Sequence, residues 1–170
     1  TMIPAQSPED LVKVCEKLKS DGGTGCLVSG GCLSDGSVPL DRFIDAFSHI
    51  KRNLELKVVV HTGLIDDSTA QELRSAGVDA ALIDVIGSNE TIREVYHLDA
   101  EIDDYEASLK ALHDSGIAIV PHVLVGLHYG MIRGEFEAID MISRYTPSAL
   151  VVIALTPVKG TPMESVRPPK

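Results

Sequence analysis

Three side chains that can bind a metal ion or move a proton stand at or near the ends of apolar runs. His61 and Asp84 each follow such a run, and His122 lies within a longer one. Two imidazoles and one carboxylate form a facial set of nitrogen and oxygen ligands that suits divalent transition metals. One function consistent with these residues is therefore that of a divalent-metal-dependent lyase.

A glycine-rich segment, Ser29-Gly30-Gly31, ends another apolar run. Glycine lets a ligand approach the backbone closely, so the segment is a candidate ligand-binding turn; an ordinary tight turn between a strand and a helix is the alternative. Asp84 also indicates a site, because a carboxylate at the end of a buried strand is costly unless a hydrogen bond or a ligand satisfies it. The competing role for Asp84 is a local cap for Gly87 and Ser88.

These residues share one position in a repeat of strand followed by helix. Five apolar runs alternate with amphipathic segments, at a period of roughly thirty residues. The carboxyl ends of parallel strands are where such folds bind ligands. The predicted fold class is α/β, a partial TIM-type (β/α) barrel of about five parallel strands with outer helices, in one domain over residues 1–170. A closed barrel needs eight strands, so five apolar runs indicate either a barrel that is itself partial or a chain that lacks strands and is a fragment of a longer one.

Capping residues and apolar periodicity predict the individual elements. Ser7 is the expected N-cap of the first helix, and Ser68 with Gln71 is the expected capping box of the third. The predicted strands after the first are 58–61, 80–85, 117–127 (fully buried) and 149–155. The other segments are predicted as a short helix with a functional loop (87–101), two helices (102–115 and 135–145), a loop (128–134) and an extended tail (157–170).

The composition excludes some classes of function. The net charge is −10 and Trp is absent, whereas a nucleic-acid-binding surface needs a basic stripe. No apolar run is long enough for a membrane span, and no basic-apolar leader opens the chain, so no membrane is expected and a cytoplasmic location is predicted. The three cysteines are irregularly spaced and predict neither a disulfide framework nor a zinc site.

Several strings resemble the biotin-synthase-like branch of the radical S-adenosylmethionine (SAM) superfamily, in particular archaeal uncharacterised biotin synthase homologues. The resemblance covers nearly the whole chain. The strings that carry it are LVSGGC (27–32), VHTG (60–63), IREVYH (92–97), PHVLVGLHYG (121–130) and TPVKGTP (156–162).

The resemblance implies a partial barrel that binds SAM and a [4Fe–4S] cluster. The family holds its cluster with Cys-x3-Cys-x2-Cys, and this motif is absent here, since Cys26 and Cys32 cannot reproduce that spacing. We therefore expect no metal ligands for the cluster in this chain, cluster cysteines upstream of it, and no activity of the chain alone. A naturally clusterless, non-catalytic subunit is the alternative.

The resemblance also implies roles for individual residues. Asp84 matches a contact to the SAM ribose, Leu124 matches an apolar contact to adenine, and Ser29-Gly30-Gly31 resembles the Gly-Gly-Glu motif, with Cys32 in place of Glu. The implied SAM-binding residues are Ser29, Gly30, Gly31, His61, Thr62, Asp84, Leu124, Thr156 and Pro157. The expected substrate-side residues are Arg93, Glu94, Tyr96, His97, His122, His128, Tyr129 and Arg133.

The function that the resemblance implies is hydrogen abstraction by a radical SAM enzyme, similar to biotin or lipoyl synthase, with a transferase as the broad class. A small-molecule or acyl substrate and an electron donor protein such as ferredoxin or flavodoxin are the implied partners. From the residues themselves, the apolar edge strand at 151–153 needs cover. It predicts either further sequence or a partner, including a possible homo-oligomer.

Overall fold

The computed structural model describes residues 2–169. Five parallel strands in the order β1-β2-β3-β4-β5 form a curled half-barrel, which confirms the predicted fold class. The strands are β1 (Gly25–Val28), β2 (Lys57–His61), β3 (Ala80–Asp84), β4 (Ala118–Val125) and β5 (Val151–Ala154). The helices are α1 (Pro8–Ser20), α2 (Ile44–His49), α3 (Asp67–Ser75), α4 (Asn89–Thr91), α5 (Ile102–Ser115) and α6 (Glu135–Ser143). None of the helices within residues 2–169 has the length and apolar character that a bilayer crossing requires.

The core lies between the outer face of the sheet and the helices. Val58 and Val60 on β2 and Ile83 on β3 are fully buried against the helices. Residues that alternate with them, such as Val59 and Leu82, point to the concave inner face and are only half-buried. Because successive side chains of a strand point to opposite faces, this alternation leaves the concave face open to a ligand.

Several predicted boundaries differ from the structure. The strand predicted at 117–127 is shorter, and only its outer face is buried, since its inner face lines the open concavity. The third helix is capped by Asp66, whose carboxylate accepts a hydrogen bond from the Thr69 amide at 2.8 Å, so the predicted Ser68–Gln71 capping box is wrong. The tail predicted as extended contains turns between 159 and 165, and Lys170 lies outside the described residues.

The last strand is exposed. Every residue of β5 is exposed, and Val152 on its outer side is 58 % exposed although α6 precedes it in the chain. An uncovered apolar edge of this kind is unusual for a parallel sheet. The predicted need for cover therefore agrees with the exposure of β5, while the homo-oligomer remains a prediction.

Two glycines bring the loop after β3 against the start of α6. A Cβ atom at position 87 would lie 2.2 Å from the Gly134 carbonyl oxygen, and one at position 134 would lie 2.6 Å from the Gly87 carbonyl carbon. Gly134 also has a φ of 93°, which disfavours any other residue. Direct contact between these two backbones fixes the β3 loop to α6.

Two cysteines meet between α1 and β1, and we predict that they can be joined. The Sγ atoms of Cys15 and Cys26 lie 3.8 Å apart, and the hydrogen bond from Cys15 lowers the pKa of Cys26 to about 7. A thiolate reacts more readily than a thiol, so hydrogen peroxide should form a disulfide here, with each thiol losing one hydrogen and the peroxide becoming two waters.

Mass spectrometry of the oxidised and then denatured Cys32→Ser protein measures this reaction. We expect the loss of two hydrogens and no thiol that can still be alkylated. The Cys32→Ser background matters because Cys32 is exposed and can form disulfides between molecules. Two alkylatable thiols after oxidation would contradict the prediction.

Candidate functional site

Three neighbouring strands place His61, Asp84 and His122 together on the concave face. In the sheet register Asp84 lies opposite His122, and His61 lies opposite Leu82 at the end of β2. The Nε2 atom of His61 and the Nδ1 atom of His122 each lie 3.2 Å from the same carboxylate oxygen, Oδ1 of Asp84. The two imidazole rings are tilted, with their centres 5.6 Å apart. We call these three residues the His–Asp–His cluster.

The Asp84 carboxyl is ionised more readily than an ordinary aspartic acid. Burial opposes its ionisation, but the hydrogen bond from His61 and the charges of His61 and His122 outweigh that effect and lower the pKa of Asp84. A half-buried carboxylate that is held ionised is a strong hydrogen-bond acceptor. Asp84 therefore presents an ionised carboxylate at the carboxyl end of β3.

A cavity of about 330 Å³ borders the cluster. The residues that line it include Ser29, Gly30, the exposed Cys32, His61 and Asp84. Tyr96 and Tyr105 form another part of the wall, and burial together with the Asp84 charge raises the pKa of both phenols, so they stay neutral. Ligand cavities of small molecules are typically about 300–1,000 Å³, so the volume suits a nucleoside-sized ligand.

The residues with a predicted SAM role are not all in this cavity. Thr62 is 1 % exposed and donates a hydrogen bond to the Gly63 carbonyl, so its hydroxyl already has a partner. Leu124 is half-buried on the inner face of β4, two residues after His122 of the His–Asp–His cluster. Thr156 follows β5, where its hydroxyl donates to the Ala154 carbonyl. Gly31 and Pro157 adjoin Gly30 and Thr156, and contacts of all these residues with SAM remain predictions.

Some of the predicted substrate-side residues form a second group, which contacts α4. His128 is 3 % exposed, and its Nδ1 lies 3.1 Å from the Thr91 hydroxyl. Its Nε2 lies 3.9 Å from the Glu94 carboxylate, and the Tyr129 hydroxyl donates to the Glu94 carbonyl. Arg133 is paired with the Glu90 carboxylate. The polar atoms of the second group are thus paired either with one another or with residues of α4.

The two remaining residues of the predicted substrate side lie apart from that group. Arg93 is exposed on the π-helical turn Ile92–Tyr96. His97 ends this turn in a left-handed conformation, with its Nδ1 3.1 Å from the Arg93 carbonyl. Their roles also remain predictions.

Sequence reasoning missed Glu135, which positions the loop after β4. Its carboxylate is 8 % exposed and accepts hydrogen bonds from the backbone amides of Gly126, at 2.7 Å, and Arg133. Both ends of the loop that carries His128 are therefore tied to one side chain. The only sign of this role in the sequence is an acid directly after Gly134 at the start of a helix, and such an acid is also typical of a simple charge at a helix N-terminus.

The cysteines do not fit a cluster. Cys15 and Cys26 pack against each other between α1 and the outer face of β1, while Cys32 is exposed at the cavity. A [4Fe–4S] cluster needs thiolates that converge on one point, and these three do not. The residues present do fit SAM, because a glycine-rich turn and the Asp84 carboxylate line the same cavity.

Comparison with known proteins decides the family. The family model described as "Radical SAM superfamily" matches residues 3–142. The chain belongs to the radical SAM superfamily. Among curated relatives, the biotin synthase of Clostridioides difficile is 28 % identical over 142 residues, covering 82 % of this chain and 42 % of the relative. The biotin synthase of Acidithiobacillus ferrooxidans is 27 % identical over 176 residues, covering 99 % of this chain and 54 % of the relative.

Solved radical SAM proteins share the fold of this chain. Methylornithine synthase superposes with a TM-score of 0.72 at 21 % identity, covering 94 % of this chain and 47 % of that one. A radical SAM methyltransferase from Kitasatospora setae, solved with cobalamin and a [4Fe–4S] cluster, gives 0.67 at 14 % identity and covers 93 % and 33 %. This radical SAM chain thus spans about half or less of the length of relatives such as these.

Proposed function

We propose that this chain is the SAM-binding part of a radical SAM enzyme, and that Asp84 accepts hydrogen bonds from the ribose hydroxyls of SAM. The observation that carries the proposal is the cavity that Ser29, Gly30 and Asp84 line together. Backbone amides and carbonyls of a glycine turn can bind the amino acid end of SAM, and a carboxylate suits a vicinal diol.

The residues of this chain supply binding, orientation and shielding from water. His61 and His122 both contact Oδ1 of Asp84 and hold the carboxylate in place, so its other oxygen, Oδ2, can meet a ribose without reorganisation. Val59, Leu82 and Val120 give the concave face an apolar floor beside the cluster. When SAM and a reduced [4Fe–4S] cluster are bound, the cofactors supply the hydrogen-abstracting radical and the protein positions the substrate for it.

We also propose a substrate class, a reaction class and an electron donor for the whole protein. The barrel would act on a small-molecule or acyl substrate, as a transferase similar to biotin or lipoyl synthase, and a protein such as ferredoxin or flavodoxin would donate electrons. Support comes from the biotin synthases among the curated relatives and from the concave, partly apolar site. The cytoplasmic location remains a prediction.

Cleavage of SAM by the whole protein tests the proposal. The gene around this chain is expressed at full length and anaerobically, the cluster is reconstituted, and 5′-deoxyadenosine is measured after addition of SAM and dithionite. We expect 5′-deoxyadenosine from the whole protein and none from the 170-residue chain, because the chain's cysteines do not converge.

Two results would contradict the proposal. One is a full-length protein that has no Cys-x3-Cys-x2-Cys and binds no iron, which would favour a clusterless subunit. The other is a reconstituted protein that has its cluster but does not bind or cleave SAM.

A further inference from the structure

We propose that the His–Asp–His cluster binds a divalent transition-metal ion, of the kind represented by Zn²⁺, Fe²⁺ or Co²⁺. The site uses no cysteine, whereas iron–sulfur clusters are held by cysteine thiolates. It does not rest on the proposed function, since it needs only the three side chains already in contact. It lies on the concave face, at the edge of the cavity that His61 and Asp84 line.

The distances between ligand atoms suit one ion. The Nε2 atom of His61 and the Nδ1 atom of His122 each lie 3.2 Å from Oδ1 of Asp84, and the three ligand atoms lie within 4.8 Å of one another. Metal–ligand bonds of about 2.0–2.2 Å place neighbouring ligand atoms roughly 3.0–3.5 Å apart. Small side-chain adjustments would therefore place an ion in bonding contact with all three residues.

The three ligands are held by rigid elements. Each one comes from a different strand, and β2, β3 and β4 are hydrogen-bonded neighbours. A site built on strands keeps its ligands closer to the required geometry than a site built on loops. The cluster thus has much of the preorganisation that a metal site needs.

The chemistry of the donors selects the kind of metal. Two imidazole nitrogens and one carboxylate oxygen suit Zn²⁺, Fe²⁺ or Co²⁺, whereas Ca²⁺ and Mg²⁺ prefer sites built of oxygen alone. The Asp84 carboxylate lies beside two imidazole rings in a half-buried position, where its attraction for a divalent cation is stronger than in bulk water.

Three protein ligands leave coordination positions open. The neighbouring inner-face residues Val59, Leu82 and Val120 are apolar and supply no further ligand. Structural zinc sites are closed by four protein ligands, whereas catalytic sites keep a position for water or substrate. An ion in this cluster would therefore bind an oxygen of a substrate, such as a carboxylate or hydroxyl group, beside the cavity.

Among residues 2–169, two other groups could compete for a metal. Glu90, Glu94 and His128 also lie close together, but Glu90 is already paired with the Arg133 guanidinium. Cys15 and Cys26 form a thiol pair that binds soft metals. A useful experiment must therefore distinguish nitrogen and oxygen ligands from sulfur ligands.

Titration of the purified 170-residue chain with Co²⁺, followed by visible absorption, tests the site in the absence of SAM and reductant. We expect saturation at one Co²⁺ per chain, with visible bands of nitrogen and oxygen coordination and no thiolate charge-transfer band in the near ultraviolet. Asp84→Asn should weaken binding by about 100-fold or more, since even the loss of a residue that only supports a metal ligand costs about 10–100-fold.

Matched variants on α5 show whether a loss of Co²⁺ binding is specific to the His–Asp–His cluster. Asp114→Asn removes the same charge from an exposed site on α5 and should bind Co²⁺ as the unaltered chain does. If circular dichroism shows that Asp84→Asn is unfolded, His122→Gln replaces it, with His113→Gln on α5 as its control. The proposal would be overturned by the absence of saturable binding at millimolar Co²⁺, by binding that survives Asp84→Asn and His122→Gln, or by a thiolate band. Failure here is distinct from failure of the proposed function, because SAM cleavage is measured without added Co²⁺.

Discussion

Replacement of Asp84 with alanine should weaken SAM binding to the full-length, cluster-loaded protein by roughly 10- to 100-fold. Hydrogen bonds to a charged group contribute about 1.5–3 kcal/mol each, and about 1.4 kcal/mol corresponds to a tenfold change in affinity. Asp84 is the cavity carboxylate that the flanking imidazoles hold in place, so its loss leaves the ribose hydroxyls without a fixed acceptor. Equilibrium dialysis with labelled SAM, in buffer free of added divalent metal, measures the effect.

Two further variants separate charge, shape and general effects. Asp84→Asn keeps an oxygen acceptor but removes the charge, so we expect an intermediate loss of affinity. Asp114→Ala, on the outer surface of α5, should leave the SAM affinity unchanged. An Asp84→Ala protein that folds, retains its cluster and binds SAM with unaltered affinity would show that Asp84 has no role in SAM binding.

Replacement of Glu135 with alanine should lower the free energy of unfolding by about 2–5 kcal/mol, because each buried amide left without an acceptor costs about 1–3 kcal/mol. Glu135 accepts hydrogen bonds from both the Gly126 and the Arg133 amides, and its carboxylate is buried. No other side chain in the described structure bonds these two amides. Chemical denaturation followed by circular dichroism measures the change.

Glu135→Gln and Glu137→Ala provide the comparison. Glutamine has one carbonyl oxygen, so it can replace only one of the two carboxylate acceptors, and we expect about half of the loss. Glu137 lies in the first turn of the same helix but is exposed, so its replacement should have little effect. Equal stability of the Glu135→Ala and Glu137→Ala proteins would contradict this role for Glu135.

The strands, and the polar residues that meet near their carboxyl ends, could be predicted from sequence because they depend on local patterns. Apolar runs that repeat with the period of strands and helices predicted the parallel half-barrel. The polar residues that end or interrupt these runs predicted the shared position of His61, Asp84 and His122, since parallel strands bring their carboxyl ends to one edge.

Other features depend on contacts that local patterns do not contain. The acceptor role of Glu135 requires the path of a loop that brings residue 126 back to the start of α6. The cap of α3 was misassigned to Ser68 because Asp66 and Ser68 are both good N-caps and only the backbone conformation chooses between them. The sequence predicted that the apolar edge strand at 151–153 needs cover, and every residue of β5 is exposed, but the residues of the strand do not show what covers it.

The contact between Gly87 and Gly134 limits how this site can diversify. Each backbone occupies the space that a side chain on the other would need, so neither position can change alone, and a paired change meets the same obstruction. Variants that gain new specificity must therefore arise at side chains around the cavity while these two glycines stay constant. A deep mutational scan should therefore find that substitutions at positions 87 and 134 are not tolerated, whereas substitutions on the concave face are.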